Sequence, residues 1–258
     1  MLIRCSSLPK IMTAPIGKTP LDLYNDCQDR IKWLEEKIDK TVNKETKTFI
    51  GYCFELNKLR KDIVELKNNK DKTVLSETAK SYVKQMAKED FLGYSSELNN
   101  KYLEKGKQVE NNSIELLNSV LFTDYVKNTE RRQNDFLTGE PDIVANDVII
   151  DIKSSWSLDT FPMLPEDINV KDYEMQLRGY MMLFDKPRAI LAYCMVDTPE
   201  HLRSWESEEL HLVSHIAPEK RITMIEFTRD LEIEADIKAK CEASLDLYFE
   251  LINKYNAK

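Results

Sequence analysis

The fold is decided by residues 138–155, which read TGEPDIVANDVIIDIKSS. Near the end of this stretch, a short apolar run leads directly into charged residues. Side chains alternate between the two faces of a strand, so Asp151 and Lys153 should project to one face, and Ile150 and Ile152 to the other. A charged pair on a strand of buried type is costly unless it has a function. The pattern therefore marks this strand as a candidate site.

A second carboxylate precedes this strand. A turn at residues 146–147 would form a hairpin and bring Asp142 back beside Asp151. Two adjacent carboxylates repel each other unless a cation lies between them, and Mg²⁺ prefers carboxylate, carbonyl and water oxygens. The Ile152 carbonyl could supply one more ligand, and Lys153 could hold or deprotonate a water or stabilise charge on a phosphate. These groups meet the requirements of phosphodiester hydrolysis with Mg²⁺ or Mn²⁺. The alternative is a surface hairpin with an ordinary Asp–Lys pair.

The rest of the chain predicts an α/β architecture in one domain over residues 1–258. Apolar residues at spacings of three and four indicate a helical hairpin at about 21–70, which we treat as an insertion. The first 19 residues contain Pro9, Pro15 and Gly17 and are followed by Pro20, and we expect them to be extended. Further elements are expected as helices at about 99–120, 171–185 and from 230, and as strands at about 189–196 and 221–228.

Composition excludes several classes of protein. The 258 residues have a net charge of −8, which argues against a generally basic nucleic-acid coat but permits a local basic groove. The five cysteines are scattered and form no C-x-x-C pair, so a disulfide framework or a zinc site is not expected. No apolar run is long enough to cross a membrane, and the N-terminus has no signal layout. We therefore expect a cytoplasmic protein.

Two segments of the sequence resemble motifs of a known nuclease family. Pro141-Asp142 followed by Asp151-Ile152-Lys153 resembles the PD-(D/E)XK nuclease signature. Residues 106–111, GKQVEN, are similar to the G-K-Q-x-E-N helix motif of the lambda-type phage exonucleases, also called the YqaJ viral recombinase family. In that family the helix glutamate faces the metal site, and Glu110 is the matching residue.

Two further segments agree with the same family. Residues 173–180, YEMQLRGY, resemble the Q-x-x-x-Y helix that follows the catalytic strand, where the glutamine lies near the active site. Gln176 is the match for that glutamine. Residues 3–7, IRCSS, are similar to the family's I-T-A-S-E segment, in which a serine helps to bind phosphate, and Ser6 is the match. Family members have an arginine shortly before this segment, and Arg4 could substitute for it.

The resemblance implies a restriction-endonuclease-like fold, with a central mixed sheet flanked by helices. It also implies a metal-dependent exonuclease that degrades linear duplex DNA in the 5′→3′ direction during phage-type recombination. Asp142, Asp151, Glu110 and the Ile152 carbonyl would bind Mg²⁺ or Mn²⁺, and Lys153 would activate or orient the attacking water. Gln176 would position that water or the phosphate. Family members form ring-shaped trimers and supply a single strand to an annealing protein.

Other candidate contacts with DNA rest on weaker signals. Arg131 and Arg132 could contact phosphates, although a solvated loop explains them equally well. Trp156 follows the catalytic strand and could stack on bases, or it could pack against the sheet. Tyr180, from the Q-x-x-x-Y helix, is a further candidate.

Two other functions fit parts of the sequence. The first is a RecB-like nuclease that acts on single strands. A form of it with an iron–sulfur cluster would require four clustered thiolates, and the cysteines are scattered. The second is a catalytically silent nuclease fold that only binds nucleic acid or protein. The intact Asp142, Asp151 and Lys153 argue against that alternative.

Overall fold

The computed structural model describes residues 1–96, 100–203 and 205–258. They form two compact units, Thr13–Glu77 and the remainder, Met1–Met12 with Thr78–Lys258. The elements in chain order are β1 (Ile3–Arg4), α1 (Leu8–Ile11), α2 (Pro20–Lys40), α3 (Lys47–Asn69), α4 (Glu77–Leu92), α5 (Lys101–Leu121), β2 (Arg132–Gln133), β3 (Leu137–Gly139), β4 (Ile143–Val144), β5 (Val148–Ser154), α6 (Glu174–Phe184), β6 (Arg188–Cys194), α7 (Glu200–Arg203), β7 (Ile222–Thr228) and α8 (Leu231–Asn256).

The smaller unit contains the two helices expected at about 21–70. Helix α2 begins with a capping box in which Thr19 accepts from the Asp22 N–H and the Asp22 side chain accepts in return. Helix α3 begins after Thr46, whose hydroxyl accepts from the Phe49 N–H. The facing sides of the two helices bury a small apolar seam, which consists of Cys27, Leu34 and Leu56.

A four-stranded mixed sheet forms the centre of the larger unit, in the order β4-β5-β6-β7. Strands β4 and β5 are the predicted hairpin, because they pair antiparallel and the Ala145 N–H donates to the Val148 carbonyl across the turn. Strands β5 and β6 pair in parallel over seven residues, and β7 pairs antiparallel with β6. The parallel pair requires a crossover, and helix α6 lies within it.

Helices cover both faces of this sheet, as expected for an α/β layer architecture. On one face, apolar residues of α5 pack against Ile150 and Ile152 of β5. On the other face, apolar residues of α6 pack against Ile149 of β5 and Leu191 of β6. Strand β5 is therefore buried on both sides, and its charged residues continue the face that carries Ile149 and is covered by α6.

The first residues differ from the extended segment that we expected. Ile3–Arg4 forms β1, a 3₁₀ turn covers Cys5–Ser7, and Leu8–Ile11 is helical. Pro9 lies in the first turn of this helix, where the missing N–H costs nothing and the fixed φ favours the helix. Strand β1 pairs in parallel with β3, and β2 pairs with the other edge of β3. The sequence did not predict this small second sheet.

The helices expected at about 99–120, 171–185 and from 230 follow their predicted ranges closely. Helix α5 has Asn100 as its N-cap, and the predicted starting residue, Asn99, lies outside the described residues. A 3₁₀ turn at Val170–Asp172 precedes α6, so the helix proper starts three residues later than expected. In the part of the chain that the structure describes, no helix has both the length and the apolar character needed to cross a membrane.

Candidate active site at the end of the central strand

The charged residues of β5 lie in a buried cluster. Asp151 is only 2% exposed, and the Lys153 ammonium lies 2.6 Å from its Oδ2. Gln176 of α6 donates from Nε2 to Asp151 Oδ1 at 3.0 Å. Asp142 accepts the backbone N–H of Ile152 at 2.6 Å through its Oδ2. The structure thus brings together four of the predicted catalytic residues around the end of one strand.

The shortness of β4 explains how Asp142 reaches this position. Strand β4 begins only at Ile143, which pairs with Ile150. The N–H of Ile152 therefore lies beyond the strand ladder, and the Asp142 carboxylate takes the place of a backbone acceptor. In a strand, the N–H and C=O of one residue point to the same edge. The Ile152 carbonyl consequently faces the same edge as Asp142.

The two aspartates raise the electrostatic cost of the cluster. Burial, followed by the charge of Asp151, raises the pKa of Asp142 to about 7. Burial alone would lower the pKa of Lys153, but the charges of Asp151 and Asp142 and the contact with Asp151 hold it above its ordinary value. Lys153 is therefore a cation at neutral pH, which favours a role in orienting water or stabilising charge over a role as a base.

Glu110 approaches the cluster from α5. It lines a cleft of about 560 Å³ together with Asp142, Ile152 and Lys153. Its Oε2 accepts from the Lys127 ammonium at 2.6 Å, and its side chain is 19% exposed. The walls of the cleft include aromatic side chains, namely Tyr102, Trp156, Tyr173 and Tyr193.

The carboxylates and the Ile152 carbonyl at this cleft are oxygen ligands of the kind that a hard divalent cation binds. Within the described ranges, they do not surround a single metal position. Among the described residues, no three carboxylate, imidazole or thiol groups already surround a metal position. Glu110 is paired with Lys127, and Asp142 is bonded to a backbone N–H. The buried Asp151 Oδ2 has the Lys153 ammonium 2.6 Å away as its counter-charge. Two adjacent carboxylates, one buried and the other half-buried with a raised pKa, are surroundings that a cation stabilises.

Gln176 and Tyr180 of α6 hold the Asp151 carboxylate in place through two consecutive hydrogen bonds. Gln176 Nε2 donates one proton to Asp151 and the other to the Tyr180 hydroxyl, at 3.0 Å each. Because both amide protons are used within the protein, Gln176 holds Asp151 in place instead of donating to a phosphate. Tyr180 is only 5% exposed and lies in the core cluster under α6. This burial corrects the expectation that Tyr180 contacts DNA.

Trp156 takes the packing role that we considered beside stacking. It is 7% exposed, and its indole N–H donates to Glu206 Oε2 at 2.8 Å. Its ring meets His211 edge to face, and its carbonyl accepts from the buried Lys105 ammonium at 3.0 Å. Trp156 therefore forms part of the cleft wall, and its ring has little exposed surface for a base.

The predicted phosphate contacts lie on the surface. Arg4 and Ser6 are exposed, and β1 pairs Arg4 with Thr138 of β3, the strand that leads to Asp142. The two arginines of the 131–132 pair are also exposed, and each is engaged with a nearby glutamate. Their contact with DNA stays a prediction.

Three residues contact the cluster or its strand without having been predicted. Lys127 pairs with Glu110, and Tyr173 lies with its ring centroid 5.2 Å from the Lys153 ammonium. Lys105, which is fully buried, donates to the carbonyls of Ser155 and Trp156, directly after β5. Two of the three lie at family-like segments: Lys105 directly precedes the GKQVEN motif, and Tyr173 begins the YEMQLRGY segment.

Comparison with solved structures connects this geometry to known proteins. The chain superposes on a phage-related exonuclease from Haemophilus somnus 129PT with a TM-score of 0.73 and 29% identity, over 99% of this chain and 96% of that one. The resemblance to the lambda-type phage exonucleases is confirmed. An alkaline exonuclease (LHK-Exo) from Laribacter hongkongensis shares the fold, with a TM-score of 0.55 and 11% identity over 72% of this chain and 87% of that one.

The same Laribacter protein in complex with dAMP gives a TM-score of 0.51 at 12% identity, over 70% of this chain and 85% of that one. By sequence, no family model and no curated protein matches the chain. The expected PD-(D/E)XK fold, a mixed sheet flanked by helices, is thus confirmed by structure where sequence comparison finds no match.

Proposed function

We propose that this chain is a metal-dependent DNA exonuclease that hydrolyses phosphodiester bonds of linear duplex DNA in the 5′→3′ direction. The observation that carries the proposal is that Asp142 and Lys153 line one cleft at the end of β5, where the buried Asp151 pairs with the Lys153 ammonium. The likeness to two proteins described as exonucleases supports the same reaction.

The ion would be Mg²⁺ or Mn²⁺, because the available ligands are hard oxygens. Asp142, Asp151 and the Ile152 carbonyl would hold it, with Glu110 as a further ligand. When bound, the ion supplies Lewis acidity at the scissile phosphate and offsets the repulsion between the carboxylates.

The side chains around this position have separate roles. The Lys153 ammonium orients the attacking water and stabilises the negative charge that develops on the phosphate. Gln176 fixes the carboxylate of Asp151 and is therefore a positioning residue. The Asp142 carboxylate accepts the Ile152 N–H, and this hydrogen bond keeps the Ile152 carbonyl in the cleft.

The wider role follows the resemblance to the phage family. We propose that the protein acts in the cytoplasm of a bacterial host, in phage-type recombination. It would leave a single strand for an annealing protein, and it would assemble as a homotrimer around the duplex. An enclosed DNA path would allow a chain with a net charge of −8 to bind a polyanion.

End-labelled DNA tests the reaction and its direction. Linear duplex labelled at the 5′ or the 3′ end is incubated with Mg²⁺, beside covalently closed circles and single strands. We expect early release of the 5′ label as mononucleotides, slow loss of the 3′ label, and intact circles.

Other outcomes separate the alternatives. Cleavage of circles would make the protein an endonuclease with the same metal site. Preference for single strands would favour a RecB-like activity. Failure to cleave any substrate, with DNA binding retained, would contradict the proposal and favour a catalytically silent nuclease fold.

A further inference from the structure

A lysine on the loop after α5 already occupies one of the candidate metal ligands. The Lys127 ammonium lies 2.6 Å from Glu110 Oε2. The Lys127 side chain is 46% exposed, whereas that of Glu110 is 19% exposed. The ion pair thus joins a half-exposed cation to a carboxylate that lines the cleft.

The backbone on both sides of this lysine is fixed. The Asn128 N–H donates to the Asp142 carbonyl at 2.7 Å, and its side chain donates to the Pro141 carbonyl at 3.0 Å. Two residues before Lys127, Tyr125 is held through its N–H and its carbonyl by the side chain of Asn118, at 2.9 Å each. The aliphatic stem of Lys127 can therefore move while its attachment point stays beside the cleft.

Other acidic groups add to the field around the ammonium. The hydrogen bond with Glu110, followed by the charges of Glu110, Asp142 and Glu140, raises the pKa of Lys127. A single ammonium therefore interacts with two of the three carboxylates that the proposed function assigns to the metal. The Lys127 ammonium supplies one positive charge near these carboxylates, whereas a divalent ion would supply two.

We propose that Lys127 competes with the divalent ion for Glu110 and thereby sets the metal affinity of the site. An ion that takes Glu110 as a ligand must displace the ammonium from Oε2. The displaced ammonium remains tethered at the cleft and becomes available to a phosphate oxygen of the DNA. This inference rests on the proposed function, because it takes Glu110 to be a metal ligand.

Calorimetric titration with MnCl₂, without DNA, tests the competition directly. Removal of the competing charge in Lys127→Gln should tighten Mn²⁺ binding by about two- to fivefold, the range expected for the loss of a half-exposed ion pair. Lys127→Met should do the same, and Lys127→Arg, which keeps the charge, should resemble the wild type. Lys254→Gln removes a lysine from an exposed pair with Glu250 and should leave the affinity unchanged.

A double-mutant cycle separates competition at Glu110 from a general effect of charge. In a Glu110→Gln background the carboxylate is absent, so Lys127→Gln should change the Mn²⁺ affinity much less than it does in the wild type. An equal gain in both backgrounds would mean that Lys127 acts only through its long-range charge and would overturn the inference.

The remaining outcomes distinguish this inference from the proposed function. Equal Mn²⁺ affinity of the wild type and both Lys127 variants would refute the competition and leave the metal site intact. Lack of Mn²⁺ binding by the wild type and all variants would refute both the competition and the metal-dependent reaction.

Discussion

At the scale of single residues, the carboxylate of Asp142 in the candidate site lowers the stability of the folded, metal-free protein. Asp142 is half-buried beside Asp151, and its pKa is raised to about 7 from the ordinary 3.8. Between these two values the unfolded chain releases the proton while the folded chain keeps it, so stability falls as the pH rises. At 1.36 kcal/mol per unit, the cost above neutral pH amounts to at most about 4 kcal/mol.

Replacing this carboxylate should therefore stabilise the metal-free protein. In EDTA at about pH 8, we expect Asp142→Asn to raise Tm by several degrees, because the amide can still accept the Ile152 N–H and carries no charge. The gain should shrink as the pH approaches 5. Thermal melts at both pH values measure it, with Asp147→Asn in the exposed hairpin turn as control. A gain independent of pH would show that Asp142 bears no such cost.

The sequence predicted part of this cluster and missed the rest for a physical reason. The alternation of side chains along β5 placed Asp151 and Lys153 together, and the structure shows them 2.6 Å apart. Lys127 could not be found in this way. Its position depends on the hydrogen bond from Asn128 to the Asp142 backbone, which forms only when the loop packs against the hairpin.

At the scale of elements, the site depends on a close approach between β3 and α6. A Cβ at Gly139 would lie 2.7 Å from the Tyr180 ring and 2.8 Å from Cys5 Sγ, too close for either neighbour to stay in place. Tyr180 in turn bonds to Gln176, which holds Asp151. Gly139 thus affects the position of Asp151 on β5 through two side chains, those of Tyr180 and Gln176.

Two glycine substitutions test this dependence. Gly139→Ala should destabilise the protein by about 1–3 kcal/mol, as expected for overpacking, and should lower kcat because Gln176 shifts. Gly106→Ala is the matched control, since a Cβ there meets nothing within 4 Å and α5 gains helix propensity, worth up to about 1 kcal/mol. Denaturant melts and steady-state rates measure both. Equal stability of the two variants would contradict the packing argument.

The elements also show where sequence patterns lose information. Long amphipathic helices and the buried seven-residue strands were predicted within a few residues, because their periodicity extends over several turns or pairs. Strands β1 and β2 contain two residues each, and β3 contains three. Such short segments have no periodicity to detect. Pro9 indicated an extended segment although it starts a helix, since proline is compatible with both.

At the scale of the whole molecule, metal binding and stability should be linked. The sheet is packed on both faces, so the cleft at the end of β5 exists only when the larger unit is folded. An ion that binds only the folded state stabilises it, by about 1.4 kcal/mol at ten times its dissociation constant. The clustered carboxylates are the expected ligands.

Mg²⁺ should consequently raise Tm by roughly 3 to 6 °C at that concentration, given the size of the protein. Asp151→Asn should lose most of this shift, and NaCl of equal ionic strength should not reproduce it. Differential scanning fluorimetry in EDTA and in rising MgCl₂ measures the effect. A shift of equal size in Asp151→Asn would place the ion elsewhere.

The most direct test of the central claim compares Lys153→Met with the wild type on linear duplex DNA. The account predicts release of acid-soluble nucleotides by the wild type in Mg²⁺, no release in EDTA, and a loss of at least about a hundredfold in Lys153→Met, as for a group that stabilises transition-state charge. Lys186 donates to the Asn146 carbonyl at the turn of the β4–β5 hairpin, and Lys186→Met should stay active. Undiminished cleavage by Lys153→Met, or cleavage in EDTA, would contradict the assignment of this cluster as the active site.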